Sequence, residues 1–242
     1  MRITTMLHNG KGIYGLMVAL LLTALPSCGQ RQIQVQDSKT FAEMAGGGSA
    51  IAAEPKGAAG TDTATFAAGC FWCVEEQFRQ LDGVLEVTSG YTGGHVAHPD
   101  YRQVSTGTTG HAEACNIVYD PRKISYDALL AAFFVAHDPT QMNRQGNDIG
   151  TQYRSAVFYH NAAQRERATY YIGRLNKEKV YPGRIVTEVN PFTVFYKAED
   201  YHQDYYANNQ ELPYCRMVIK PERDKFRAVF KDRLKKQPQN KN

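Results

Sequence analysis

The ten residues Gly69-Cys70-Phe71-Trp72-Cys73-Val74-Glu75-Glu76-Gln77-Phe78 constrain this chain more than any other stretch. They follow a short run, residues 64–68, that reads as a strand. They open a segment in which Val74, Phe78 and Leu81 keep helical spacing. A strand must therefore hand over to a helix at Cys70. Two thiols three residues apart then share one face of the first helical turn. The start of a helix presents unpaired N–H groups and the positive end of its dipole, surroundings that favour a thiolate. The only tryptophan of the chain, Trp72, stands between the two cysteines.

The rest of the folded part mixes strands and helices in the same way. Gly83 ends the first helix, and residues 84–91 read as a strand. A Gly/Thr/His-rich loop covers 93–110, and 112–119 is a further strand. Residues 126–137 form an apolar helix with Ser125 as its N-cap. A polar loop runs over 139–152, a strand over 155–159 and a helix with exposed charges over 162–179. Residues 185–189 and 192–196 read as a strand pair around Asn190-Pro191, followed by a tyrosine-rich turn at 201–206. This order predicts a layered fold in which helices cover a sheet. The two polar loops are where function should concentrate.

The ends of the chain read differently. Arg2, His8 and Lys11 precede an apolar run at 13–25, too short to span a bilayer comfortably and of the length of a secretory signal. The run ends in Leu25-Pro26-Ser27-Cys28, which resembles the lipobox of bacterial lipoproteins. That resemblance implies a lipid on Cys28, export to the cell envelope and attachment to a membrane. Residues 29–62 are rich in Gln, Ala and Gly without apolar periodicity, and read as a flexible tether with an r.m.s. reach of roughly 30 Å. One folded domain is expected over 63–236 and a disordered tail over 237–242. The net charge of +4 draws in part on the last dozen residues and is too dispersed for a nucleic-acid surface. Outside the cytoplasm disulfides persist, so a redox-active pair there needs electrons delivered to that compartment.

Three uses of the Cys70/Cys73 pair compete on residue chemistry. A structural zinc site wants four ligands, usually from two paired motifs, and the chain has one C-x-x-C. His111-Ala112-Glu113 matches the H-x-E of zinc deaminases, but it follows the cysteine pair instead of preceding it. A structural disulfide across three residues would constrain the unfolded chain little. A redox pair fits the strand-to-helix position, although thioredoxin motifs carry small residues or proline between their cysteines where this chain has Phe71 and Trp72.

Longer motifs narrow the choice. Gly69-Cys70-Phe71-Trp72 resembles the signature of the methionine sulfoxide reductase A family. In the same order follow Gly90-Tyr91-Thr92-Gly93-Gly94, Pro99-Asp100-Tyr101, Thr109-Gly110-His111-Ala112-Glu113-Ala114, His137-Asp138-Pro139-Thr140, Gln145-Gly146-Asn147-Asp148, Gly150-Thr151-Gln152-Tyr153-Arg154-Ser155 and Tyr201-His202-Gln203-Asp204-Tyr205. The likeness covers about residues 65–230. It implies an α+β fold, a mixed sheet covered by helices in a two-layer ferredoxin-like sandwich, working as a monomer without a bound cofactor or metal. It also implies reduction of the S epimer of methionine sulfoxide, free or in oxidised proteins, as a protein-repair activity. By resemblance Cys70 is the nucleophile and Glu113 the acid that protonates the sulfoxide oxygen. Tyr101 and Tyr153 hydrogen-bond that oxygen, Asp148 orients substrate or water, and Phe71 and Trp72 wall the site of the substrate's methyl group. His111 and His202 are expected to be structural, and Cys115 to be a buried small hydrophobe.

The chain departs from many relatives at Cys73, where they carry glycine, and lacks their glycine-rich C-terminal cysteine tail. Ile149 stands where many carry histidine. Cys73 is therefore expected to condense with a Cys70 sulfenic acid, and a thioredoxin-like dithiol protein to reduce the resulting disulfide. Cys215 is the one late cysteine that could act as a relay. A membrane-tethered thiol–disulfide oxidoreductase without sulfoxide activity is the alternative.

Overall fold

The computed structural model describes residues 37–46 and 60–236. The expected signal segment, Cys28 and the tail at 237–242 lie outside the described residues. In chain order the elements are α1 (Lys39–Gly46), β1 (Asp62–Ala68), α2 (Phe71–Phe78), β2 (Val84–Thr92), α3 (Tyr101–Ser105), β3 (Ala112–Tyr119), α4 (Tyr126–Ala136), β4 (Arg144–Gln145), β5 (Asp148–Ile149), β6 (Ser155–Tyr159), α5 (Ala162–Lys177), β7 (Glu188–Pro191), β8 (Phe195–Lys197), α6 (Tyr205–Asn208) and α7 (Lys220–Val229).

Six strands form one sheet in the order β7-β6-β1-β3-β2-β8, and β4 pairs with β5 in a separate two-residue ribbon. Every pairing in the main sheet is antiparallel except that of β6 with β7. Its inner part, β1-α2-β2-β3-α4-β6 with strands ordered β6-β1-β3-β2, is the ferredoxin-like plait. The fold is α+β, with a mixed sheet and helices over one face.

Strand alternation sorts the two faces. Ala64, Phe66, Cys115, Ile117 and Tyr119 point into the main core, where Phe66 meets Phe78 of α2 and Phe133 of α4 at ring separations of 5.8 and 5.1 Å. The opposite face carries Ala67, Ala112, Ala114, Ala156 and Phe158, against which Phe192 and Phe195 pack. Helix α4 is buried continuously from Tyr126 to Phe134, because it lies between the sheet and other helices. Ser125 caps it by accepting from the Ala128 amide.

The expected strand pair around Asn190-Pro191 does not form. β7 adds to β6 at one edge, and β8 adds to β2 at the other. A flat sheet would put those edges about 24 Å apart at roughly 4.8 Å per strand. The three residues between β7 and β8 reach about 14 Å. The sheet must curl to bring its edges together, and the alanines on its concave face leave the room.

The expected tether also differs in part. Lys39–Gly46 is a helix whose Phe41 and Met44 are buried in the main core. Phe41 meets Phe230 at 6.0 Å. Thr40 hydrogen-bonds Glu178, and Glu43 pairs with Arg174 at 3.2 Å. Its spaced apolar residues are few and flanked by Ala and Gly, so the local composition hides them.

Candidate active site

Gly69 makes the turn between β1 and α2. Its φ is +89°, and a Cβ there would sit 2.7 Å from the side chain of Gln145. Cys70 follows as the N-cap of α2, extended at φ −61° and ψ 122°, without a side-chain cap bond. Its thiol is thus placed at the positive end of the helix. Two residues of β3 pin the next peptide. Glu113 Oε2 accepts from the Phe71 amide at 3.1 Å, and Cys115 Sγ donates to the Phe71 carbonyl at 3.6 Å. Alternation along β3 puts both side chains on the face that meets α2. Cys115 is fully buried, as a small hydrophobe would be.

Glu113 is 2% exposed. Burial pushes its carboxyl up to about 8, against the Phe71 hydrogen bond that lowers it, and the charge of Asp148 adds to the rise. It is therefore largely protonated at neutral pH. Tyr101 and Tyr153 surround the same point. Burial raises both phenols, and each feels Glu113 and Cys70. Tyr101 opens α3, a single turn inside the expected loop, whose capping box joins Asp100 and Gln103. The Tyr101 amide donates to Glu199 at 2.8 Å. Tyr153 ends a 3-10 turn, Thr151–Tyr153, and the next residue, Arg154, ties that turn to Gly110 and Glu188. Asp148, at the start of β5, accepts from the Tyr214 hydroxyl at 2.7 Å.

Cys70 and Cys73 are both buried and reduced, and their thiols interact. That interaction and burial push the Cys73 thiol up. Cys215 is fully buried and shares a cluster with Cys70 and Cys73. It opens a π-helical turn, Cys215–Ile219, of a kind frequent at functional sites.

The aromatic wall is deeper than its sequence indicates. Phe71, at 1% exposure, is the back of the wall, packed on Tyr91 and His202. Trp72 is half-buried and forms the front. Tyr205 stacks on it with centroids 3.7 Å apart and planes within 6°. Its indole N–H donates to His202 Nδ1 at 3.0 Å. Thus the structure brings Cys70, Cys73, Phe71, Trp72, Tyr101, Glu113, Asp148 and Tyr153 into one site.

Three further side chains escape sequence reasoning. His202 orients Trp72, which gives its structural role a specific target. Tyr214 donates its hydroxyl to Asp148 and packs against the cluster of Cys70, Cys73 and Cys215. Tyr205 covers the indole. Their sequence signals are the Tyr201-His202-Gln203-Asp204-Tyr205 motif and the density of tyrosines from 201 to 214, which mark a pocket without assigning these contacts.

His111 does not face the thiols as a zinc ligand. Its Nδ1 accepts from the Gly94 amide at 3.1 Å, and Nε2 meets the Val96 carbonyl at 2.7 Å. Both ring nitrogens are engaged in holding the loop. Among the described residues no group of three or more His, Cys, Asp or Glu could hold a metal ion.

Fold and site together define a thiol-dependent oxidoreductase. Residues 62–234 match the family described as peptide methionine sulfoxide reductase. The peptide methionine sulfoxide reductase MsrA of Saccharolobus solfataricus is 50% identical over 174 residues, 72% of this chain and 97% of that protein. The protein of the same name from Thermus thermophilus is 51% identical over 174 residues, 72% and 98% of the two chains. Among solved structures, methionine sulfoxide reductase A of Corynebacterium diphtheriae shares 37% identity at a TM-score of 0.58, over 68% of this chain and 84% of that one. Mxr1 from Saccharomyces cerevisiae in reduced form shares 32% identity at 0.62, over 66% and 92%. The chain belongs to the peptide methionine sulfoxide reductase family, and it reduces methionine sulfoxide.

Proposed function

We propose that the chain reduces the S epimer of methionine sulfoxide, free and in oxidised proteins, with Cys70 as nucleophile and Cys73 as resolving thiol. The observation that carries this is the placement of a buried carboxyl, pushed up to about 8, on the peptide next to the Cys70 thiol. A sulfoxide sulfur accepts a nucleophile only if its oxygen is protonated or strongly hydrogen-bonded. Glu113 holds a proton at neutral pH and can give it to that oxygen. Tyr101 and Tyr153 add hydroxyl donors, and Trp72 offers an apolar face to the substrate's methyl group. As the Cys70 thiolate attacks, the oxygen ends on Cys70 as a sulfenic acid, and methionine leaves.

Cys73 then closes a disulfide with Cys70 and releases water. A thioredoxin-like dithiol protein reopens it by thiol–disulfide exchange. Cys215, in the same cluster, is available as a relay for that disulfide. The test is single turnover on resolved epimers. The S epimer should yield one equivalent of methionine with wild type and with Cys73→Ser, and none with Cys70→Ser. Steady turnover of Cys73→Ser with the dithiol donor should collapse. Full turnover of that variant would remove Cys73 from the resolving role.

Residues 1–28 support export, with a lipid on Cys28 that ties the domain to a bacterial envelope membrane. The mass of the mature N-terminus tests this, since an unmodified start beyond Cys28 contradicts it.

A further inference from the structure

Toward the end of the chain, Cys215, Ile219, Glu222, Phe226 and Phe230 recur at spacings of four, three, four and four. This is one face of the π-turn and α7, and it turns toward α2. Four of the five are buried to 3% exposure or less. Glu222 is the single acid in that stripe. An acid in an apolar stripe costs free energy unless a partner meets it. Among the described residues Glu222 makes no ion pair.

Its partner is a thiol. The Glu222 carboxyl and the Cys73 thiol lie close enough to shift each other's proton affinity. The packing of α7 on α2 sets this meeting. Phe226, one turn after Glu222, meets Phe78 at 6.3 Å, and Ile219, one turn before it, packs in the cluster with Cys70 and Cys73. Glu222 lies between these contacts and falls opposite Cys73.

We propose that Glu222 is the catalytic base that takes the proton of the Cys73 thiol when the Cys70–Cys73 disulfide closes, an assignment that rests on Cys73 being the resolving thiol. A thiol must lose its proton before its sulfur can attack. The Cys73 S–H proton passes to the Glu222 carboxylate as the Cys73 sulfur forms a bond to the Cys70 sulfur. The S–O bond of the Cys70 sulfenic acid breaks, and hydroxide leaves. That hydroxide takes up the proton Glu222 accepted, so one water is released and the carboxylate is restored. The Cys70 sulfur is reduced and the Cys73 sulfur oxidised, with no further reagent.

The electrostatics suit this role. Cys70 and burial hold the Cys73 thiol up, so it needs a base at neutral pH. Burial also raises Glu222, and Asp148 adds to that rise, while the neighbouring Cys73 thiol and Lys225 on its own helix oppose it. A carboxylate raised in this way is a stronger base than an exposed one.

The experiment follows one turnover without reductant, quenched with an alkylating agent, reading methionine, Cys70 sulfenic acid and disulfide separately by mass. Wild type, Glu222→Gln, Glu222→Asp and Cys73→Ser are compared from about pH 6 to about pH 9. Glu222→Gln should release methionine at the wild-type rate, which also shows that it is folded. Its disulfide should close at least about tenfold more slowly at neutral pH. That deficit should shrink as pH rises, because hydroxide then removes the thiol proton. Glu222→Asp should recover part of the rate. Closure by Glu222→Gln at the wild-type rate across the range, with Cys73→Ser unable to close, would overturn the role of Glu222 and leave Cys73 as the resolving thiol. Disulfide closure by Cys73→Ser at the wild-type rate would instead remove Cys73 from that step, and Glu222 with it.

Discussion

Trp72 donates its indole N–H to Nδ1 of His202 at 3.0 Å, and the His202 ring lies 4.4 Å from that of Tyr101. One imidazole thus positions both the apolar wall and a hydroxyl donor. The bond requires a neutral ring with Nδ1 free of a proton. Burial pulls His202 below its ordinary 6.5, although Glu199 opposes this. Protonation therefore breaks the bond only as pH falls through a value under 6.5. His202→Leu should lower kcat/KM about tenfold, mainly through KM, since an unpaired indole loses its orientation. In wild type, KM should stay level through pH 6.5 and rise only at lower pH. A wild-type KM for His202→Leu would show that Tyr205 stacking alone holds Trp72.

Glu113 makes the reductive step pH-dependent with a definite sign. Its acid form is the working form, and burial lifts its carboxyl to about 8. The rate of methionine formation in one turnover should fall as pH rises through about 8. Glu113→Gln keeps a hydrogen-bond donor but has no proton to give, and should lose about 10²–10⁴-fold in that rate. Stability of the wild type should also fall with rising pH, while the substitution that loses rate gains stability at high pH. A pKa raised on folding gives stability that is complete below the unfolded value, near 4.5, and declines as pH rises toward about 8. Glu113→Gln should therefore have the higher Tm above pH 8, with the gap narrowing toward pH 5, as read by thermal melts across pH.

The Tyr214 ring packs against the cluster of Cys70 and Cys73, and its hydroxyl donates to Asp148. Removing it leaves the Asp148 carboxylate without its 2.7 Å donor at the mouth of the site. Tyr214→Phe should slow methionine formation about tenfold, the scale of one hydrogen bond to a charged group. Ring packing on Trp72 should be kept, because the edge-on contact at 5.8 Å does not use the hydroxyl. Trp72 fluorescence in the free enzyme should match wild type while the rate falls. An unchanged rate would make the Asp148–Tyr214 bond a loop fastening only.

Some of this architecture is legible in the chain, and the reason is locality. Strands β3 and β6 begin and end where alternation and flanking turns place them, and Ser125 caps α4 through its own side chain. The Cys70 position at a helix start follows from Gly69 and the apolar spacing after it. Pairing between distant segments is not local. Nothing in residues 185–197 tells that β7 and β8 join opposite edges, because that depends on the curl allowed by Ala67, Ala112, Ala114 and Ala156. Likewise the acid role expected of Glu113 rests on resemblance, whereas its contact with the Phe71 amide needs the β3 register. His202 lies 130 residues from Trp72 along the chain and Tyr214 lies 66 from Asp148, so their targets are visible only in the fold.

Helix α1 lies where a tether is expected, and it packs on α4 and α5. Met44 is fully buried, and Phe41 packs on Phe230 at 6.0 Å. The ion pair of Glu43 with Arg174 at 3.2 Å is partly exposed and adds little. Most of the attachment is therefore apolar. Met44→Ala should cost about 2–3 kcal/mol, toward the low end for a buried methionine because a short helix can shift to fill part of the gap. The site lies on α2, α3, β3, β5, the Thr151–Tyr153 turn and the segments after β8, and none of its residues is on α1, so kcat and KM should hold at temperatures where the variant is folded. A lower Tm with unchanged kinetics is the expected pair of results. If Met44→Ala melts like wild type, α1 is not held to the domain in solution.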